Sequence, residues 1–165
     1  MPDRVEVFTF KEGLLARLAH DLVLEVGAFE VKRTGADAFE VTVRADSLRA
    51  KGAIRDGRPD DRTLSRKDLA DIDAHTRKDV LHPDRYPLIR FRGRLVASRV
   101  EGELDLHGRV RPLAFPVTYT GGRVRGEVEF APSRWGIPPF SALLGAMRIQ
   151  DRVRVAFDVS VPSEG

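Results

Sequence analysis

Apolar and polar residues alternate with a period of two in six segments of this chain, and turn-forming residues separate most of them. Successive side chains of a β-strand point to opposite faces, so the pattern predicts strands with one apolar face each. Two further strand-like stretches, residues 4–10 and 20–32, bring the expected number to about eight. Such a meander predicts an up-and-down antiparallel barrel or a sandwich. The alternating segments are 39–45, 88–95, 101–107, 113–119, 124–130 and 153–161.

One segment has helical periodicity instead. Leu69, Ile72 and Val80 fall on one helical face, so we expect a helix over about residues 64–82. Ser65 and Asp68 have the spacing of a capping box, and Pro83 disfavours helical geometry at the residue before it. The chain is therefore expected to be all-β with one flanking helix.

Length and composition favour a single soluble domain over residues 1–165, with 42% hydrophobic and 32% charged residues. The net charge is +3 and the arginines are spread along strands, so we expect no nucleic-acid binding. No apolar run reaches the ~18 residues of a membrane helix, so no stable membrane insertion is expected. The first residues show no signal-peptide pattern, which predicts a cytoplasmic protein. The absence of cysteine excludes disulfides.

The stretch 132–147 is rich in proline and glycine but also strongly apolar, which is unusual for a surface loop. We expect it to cover the barrel mouth, with a short helix capped by Ser141. The connection 46–63 is polar and glycine-containing, so we expect it to be exposed and mobile.

The histidines supply the candidate chemistry. On the predicted helix, Asp71, His75 and Asp79 are spaced by four residues and His82 follows on the same side, a spacing that can chelate a metal. A polar face opposite an apolar one is also what any surface helix shows. His107 is predicted to be solvated on the polar face of its strand.

Eight short segments along the chain together resemble one known family. They are 10–13, 18–22, 77–82, 86–91, 102–108, 111–113, 135–137 and 151–153. In this order they resemble the YceI-like family of polyisoprenoid-binding, lipocalin-like barrels. The resemblance implies an eight-stranded antiparallel β-barrel with a helix beside it, binding of long amphiphilic lipids such as isoprenoid or quinone-like molecules, and homodimers in many members. The chain lacks the His-Ser pair that often begins the first strand in the family and keeps the later histidine, His20.

The leading hypothesis is a non-enzymatic barrel that sequesters an apolar or amphiphilic lipid, without a cofactor. Two alternatives remain open: a metal-assisted enzyme using the polar helix face, and a ligand-free structural or interaction module with a solid barrel. His20, together with the arginines near the barrel rim, is the candidate for contact with the polar end of the ligand. The predicted ligand-binding residues are Leu18, His20, Leu22, Leu24, Ile89, Phe91, Leu106, Phe115, Val117, Trp135, Ile137, Phe140, Leu143 and Met147.

Overall fold

A computed structural model describes residues 2–12, 20–60, 62–142 and 147–162, which form one curled antiparallel sheet with a helix beside it. This confirms the all-β class with a flanking helix. The described strands are β1 Arg4–Glu12, β2 Asp21–Val26, β3 Phe29–Arg33, β4 Ala38–Arg44, β5 Leu48–Arg55, β6 Arg58–Asp60, β7 Leu88–Val96, β8 Arg99–Leu106, β9 Arg109–Thr120, β10 Arg123–Phe130, β11 Ser141–Ala142 and β12 Met147–Ser160.

Hydrogen bonds connect the strands in the order β3-β4-β7-β8-β9-β10-β12-β1-β2-β5-β6, and β11 pairs with β12. The described part of the chain therefore has twelve strands rather than the eight expected, and the hydrogen-bonded path ends at β3 and β6 instead of closing. One source of the difference is the predicted strand 20–32, which is broken at Gly27. The N–H of Gly27 donates to the carbonyl of Ser47 at 2.9 Å, and a Cβ on Gly27 would lie only 2.9 Å from that oxygen.

The break at Gly27 gives β2 and β3 different partners. β2 pairs with β1 and β5, whereas β3 pairs with β4. Because β2 and β3 are joined by only two residues, the two halves of the sheet are held near each other and the sheet curls around an interior space.

The helix begins at the capping box that the sequence predicts. The Ser65 hydroxyl accepts from the N–H of Asp68, and the Asp68 side chain accepts from the N–H of Ser65. Helix α1 covers Arg66–His75 and continues as a π-helix over Thr76–Leu81. His82 then adopts the left-handed conformation before the proline. Among the described residues, no helix is long and apolar enough to cross a lipid bilayer.

Two expectations about local structure are wrong. The connection 46–63 contains β5 and β6, because the small buried residues Ala50 and Ala53 let a strand pack beneath the helix. The Asp73 carboxylate on α1 accepts from the N–H of Ala50 at 2.7 Å, which fixes the helix to β5. Ser141 does not cap a helix: it lies in β11 and pairs with Arg148.

Among the described residues, two clusters of buried apolar side chains lie on the inner face of the sheet. The first, near the helix, contains Leu81, Leu104, Leu106, Trp135 and Ile137. The second, near the opposite end, contains Val100, Phe115, Val117 and Val124. Phe91 packs against both clusters, so the space between them is lined from end to end by apolar side chains.

Candidate functional site: an apolar cavity within the curled sheet

The inner face of the sheet surrounds a cavity of about 530 Å³. Its wall follows directly from the alternation in the sequence, since every second residue of a strand points inward. The volume lies within the range of about 300–1,000 Å³ that is usual for small-molecule sites. The apolar strand residues of the wall include Val5 and Val7 of β1, Leu22, Leu24 and Val26 of β2, Val31 of β3, Val41 and Val43 of β4, Ile89 and Leu95 of β7, Leu104 and Leu106 of β8, Val124 and Val128 of β10, and Val153, Val155 and Val159 of β12.

A row of four phenylalanine rings crosses the middle of this wall. Successive ring centroids are 6.1 Å apart for Phe39–Phe91, 5.7 Å for Phe91–Phe115 and 5.5 Å for Phe115–Phe157. Tilted and edge-to-face pairs at such distances stabilise each other beyond their simple burial. The row therefore forms a rigid apolar surface across four strands of the sheet.

Glycines make room for two of these rings. A Cβ on Gly93 would lie 2.6 Å from the Phe91 ring, and one on Gly126 would lie 2.9 Å from the Phe157 ring. The rings therefore lie against bare backbone. Gly93 also faces Gly102 on β8. A Cβ on Gly102 would lie 2.2 Å from the carbonyl oxygen of Arg92, so β7 and β8 approach closely at this point.

The helix and the segment before β11 cover one end of the cavity. Ile72, Val80 and Leu81 reach the cavity from the helix, and Ile137 and Phe140 reach it from the other side. The rings of His75 and Phe140 are 5.2 Å apart, which brings the two covering elements into contact.

Polar side chains at the helix-covered end are bonded to other protein groups. His75 Nδ1 lies 2.7 Å from an Asp79 carboxylate oxygen, and the Thr76 hydroxyl donates to the carbonyl of Ile72 at 2.8 Å. Gln150 donates to the Lys11 carbonyl at 3.1 Å. The Asp151 carboxylate accepts from the N–H and hydroxyl of Ser133. The polar side chains named here are therefore satisfied within the protein.

The opposite end of the cavity is identified by the strand register. Arg33 pairs with Phe39 and Ala38 with Arg94 at this end, whereas Arg44 pairs with Leu88 near the helix. Arg33, Asp37 and Tyr119 line the cavity here. Inward residues Ile89 and Leu95 of β7 are six positions apart, so the two ends are separated by about 20 Å.

Most of the predicted binding residues come together in this cavity. Those that line it are Leu22, Leu24, Ile89, Phe91, Leu106, Phe115, Ile137 and Phe140. Leu18 and Leu143 lie outside the described residues, and for Met147 only the backbone, in β12, is described. Their contact with a ligand stays a prediction.

Three predicted positions are elsewhere. Val117 and Trp135 are buried in the core clusters but do not line the cavity, and the indole N–H of Trp135 donates to the carbonyl of Leu104 at 2.9 Å. His20 is exposed and lines a separate depression with Phe10 and Arg55, because β2 begins only at Asp21 and its inward row does not extend to His20. It therefore does not mark the polar end of this cavity.

Sequence reasoning missed several wall residues. Phe39, Val41 and Phe157 were recognised as apolar strand residues, yet only the pairing of distant strands shows that they share the cavity with Phe91. Arg33 was not singled out at all. Its signal was present, since it stands two residues after the inward Val31 on the same strand.

The structure does not bring the four residues of the proposed metal site together. Asp71 pairs with Lys67 at 3.4 Å and His75 with Asp79, while the His82 ring lies 5.6 Å from that of His107. Within the described residues, no three His, Asp or Glu side chains are arranged to hold a metal ion. The geometry therefore gives the metal-assisted alternative no support.

His107 is half-buried rather than solvated as expected. Its ring packs 4.4 Å from that of Tyr86, and its Nε2 is buried with no hydrogen-bond partner among the residues that the structure describes. Burial lowers the pKa of His107 below the ordinary value of 6.5, and the positive charges of His82, Arg85 and Arg109 lower the pKa further. The neutral ring is thus the form that fits this packing.

Comparisons with known proteins agree with the architecture. The family model of the YceI-like domain matches residues 12–161. BcnA of Burkholderia cenocepacia has a similar fold, with 15% identity and a TM-score of 0.62 over 94% of each chain. A polyisoprenoid binding domain from Saccharophagus degradans, implicated in plant cell wall breakdown, has 12% identity and a TM-score of 0.64 over 97% of this chain and 94% of that chain. No curated protein sequence matches significantly.

Proposed function

Because the chain belongs to the YceI-like family, as the model match over residues 12–161 shows, we propose that it binds a long apolar or amphiphilic lipid inside its curled sheet. The lipid is of the isoprenoid or quinone-like class and is sequestered without chemical change. The observation that carries this proposal is the apolar cavity of about 530 Å³. The structural neighbour described as a polyisoprenoid binding domain supports the same ligand class.

The size of the cavity suits a chain rather than a compact metabolite. At about 30 Å³ for a group of the size of a water molecule, the cavity has room for roughly 18 carbon-sized groups. Burial contributes about 0.8 kcal/mol per methylene, so a 15-carbon chain gains on the order of 12 kcal/mol. Association costs about 4–15 kcal/mol. Chains much shorter than this should therefore bind weakly.

The polar groups at the cavity support storage rather than catalysis. The side chains of Thr76, Gln150 and Asp151 are each engaged in a hydrogen bond with another protein group. A nucleophile would instead need a base within hydrogen-bond reach and free access to the ligand. A solid interaction module, the third alternative, is disfavoured by the cavity itself.

Titration with isoprenyl alcohols of two, three and four isoprene units tests the proposal. Affinity should rise with length until the cavity is filled. Val41→Trp, at the middle of the wall beside Phe91, should weaken binding of the longest alcohol at least about tenfold by filling the space. Thr42→Trp is the matched control, because residue 42 points to the other face of the same strand.

Two results would contradict lipid binding in the cavity. One is that none of the three alcohols binds the wild-type protein. The other is that Val41→Trp, shown to be folded by circular dichroism, binds them as well as Thr42→Trp does. Native mass spectrometry of protein purified from its own host adds an independent reading, since a co-purified lipid gives the mass of the ligand directly.

A further inference from the structure

We propose that the cavity selects lipids with an anionic head group, and that Arg33 binds this head at the end opposite the helix. The inference rests on the proposed lipid-binding function and specifies its ligand. A fatty carboxylate and a lipid phosphate share the required chemistry, namely a charged oxygen head on an apolar chain.

Arg33 belongs to the inner wall by its position in the strand. Val31 and Arg33 are two residues apart on β3, so both point to the same face, and both line the cavity. Lys32 between them is exposed on the opposite face. Arg33 is half-buried and pairs across the sheet with Phe39, the first ring of the aromatic row. The guanidinium therefore stands where the apolar wall ends.

Arg33 differs from Asp37, His75 and Asp151 of the wall because its guanidinium has no partner among the described residues. His75, Asp151 and Asp37 are each bonded to another group, and Asp37 accepts from Arg94 at 3.2 Å with both carboxylate oxygens. The Arg33 guanidinium makes no hydrogen bond or ion pair with any residue that the structure describes. Since Arg94 neutralises the charge of Asp37, the positive charge of Arg33 has no described counter-charge at this end of the cavity.

The Arg33 guanidinium beside an apolar wall suits a ligand with an anionic head group and an apolar tail. Arginine presents a planar fork of N–H groups that binds carboxylate or phosphate oxygens in a bidentate manner. Partial burial strengthens the attraction relative to water. A lipid tail lying along the phenylalanine row would place its head near this fork, whereas a neutral head would leave the charge unmatched.

Chain-matched probes separate the head group from the tail. We expect the wild-type protein to bind hexadecanoate and hexadecyl phosphate about 10- to 100-fold more tightly than hexadecanol, the range for hydrogen bonds to charged groups. Arg33→Gln should remove this preference and leave hexadecanol binding within about threefold. Arg33→Lys should keep part of the preference, because it keeps the charge but not the fork.

Lys32→Gln is the matched control, since it removes the same charge from the outer face of the same strand and should preserve the preference. The inference is overturned if the wild-type protein binds hexadecanol as tightly as the anionic probes. It is also overturned if Arg33→Gln weakens all three probes equally, or affects the anionic probes no more than Lys32→Gln does. These outcomes leave lipid binding intact. If none of the probes binds the wild-type protein, the proposed function fails as well.

Discussion

Replacing Trp135 by phenylalanine tests how the cover of the cavity is attached to the sheet. Trp135 is the sole tryptophan and is fully buried. Its indole N–H donates to the carbonyl of Leu104 at 2.9 Å, and its ring lies edge-to-face with Phe130 at 5.0 Å. Ile137 and Phe140, which line the cavity, follow within five residues. The side chain therefore anchors the covering segment to the sheet.

The cost of Trp135→Phe follows from these contacts. Phenylalanine keeps a ring against Phe130 but leaves the buried Leu104 carbonyl without its indole donor, at about 1–3 kcal/mol. The smaller ring leaves a void on the order of 40 Å³, which costs about 1 kcal/mol. We therefore expect the free energy of unfolding to fall by about 3 kcal/mol. For a domain of this size the melting temperature should drop by roughly 6–12 °C.

Urea denaturation followed by far-ultraviolet circular dichroism measures this loss, because the variant has no tryptophan fluorescence. Tyr119→Phe is the control: Tyr119 is 51% exposed, so its free energy of unfolding should stay within about 0.5 kcal/mol of the wild type. A loss below about 1 kcal/mol for Trp135→Phe would show that the indole hydrogen bond and its packing do not anchor the segment.

Two further changes test the close strand approach and the buried histidine. Gly102→Ala places a Cβ 2.2 Å from the carbonyl oxygen of Arg92, so we expect a loss of at least about 2 kcal/mol and faster amide exchange in β7 and β8; unchanged exchange would contradict the close approach. Burial lowers the pKa of His107 in the folded state. Above pH 6.5 this imidazole is neutral in both the folded and the unfolded protein. As the pH falls below 6.5, His107 takes up its proton first in the unfolded chain. Stability should therefore decrease between pH 6.5 and the folded-state pKa. In His107→Asn, whose new side chain suits the positive φ of 54°, the urea midpoint should depend less on pH over this range than in the wild type. Identical pH profiles of the urea midpoint for the two proteins would show that His107 does not cause the decrease.

The sequence predicts those elements whose determinants are local. The alternation in β7 to β10 and the Ser65 capping box depend on neighbours within a few residues, and the structure contains them. β5 was missed because its residues Ala50 and Gly52 read as a loop by propensity. Their burial depends on a helix some 20 residues later, through the bond from Ala50 to Asp73. Propensity does not report such tertiary compensation.

In the candidate site, too, the sequence predicts the features with local determinants and not those that depend on distant segments. Periodicity identified inward residues such as Phe91 and Phe115 because each strand carries its own pattern. It could not exclude Trp135 from the wall or place His20 outside it, since both outcomes depend on how separate segments pack. His107 looked solvated because Tyr86, which covers it, lies 21 residues earlier in the chain. The spacing of Val31 and Arg33 predicts that both point to one face of β3, but that this face borders the cavity depends on the pairing of β3 with β4.

The bare backbone beneath Phe91 has a consequence for the range of ligands. Gly93 is not on the cavity wall, yet a Cβ there would lie 2.6 Å from the Phe91 ring and the ring would have to shift. The width of the cavity beside Phe91 thus depends on a residue that does not line the cavity. A search for altered lipid selectivity should therefore include this glycine, because one methyl group on it can narrow the passage while every residue of the lining keeps its identity.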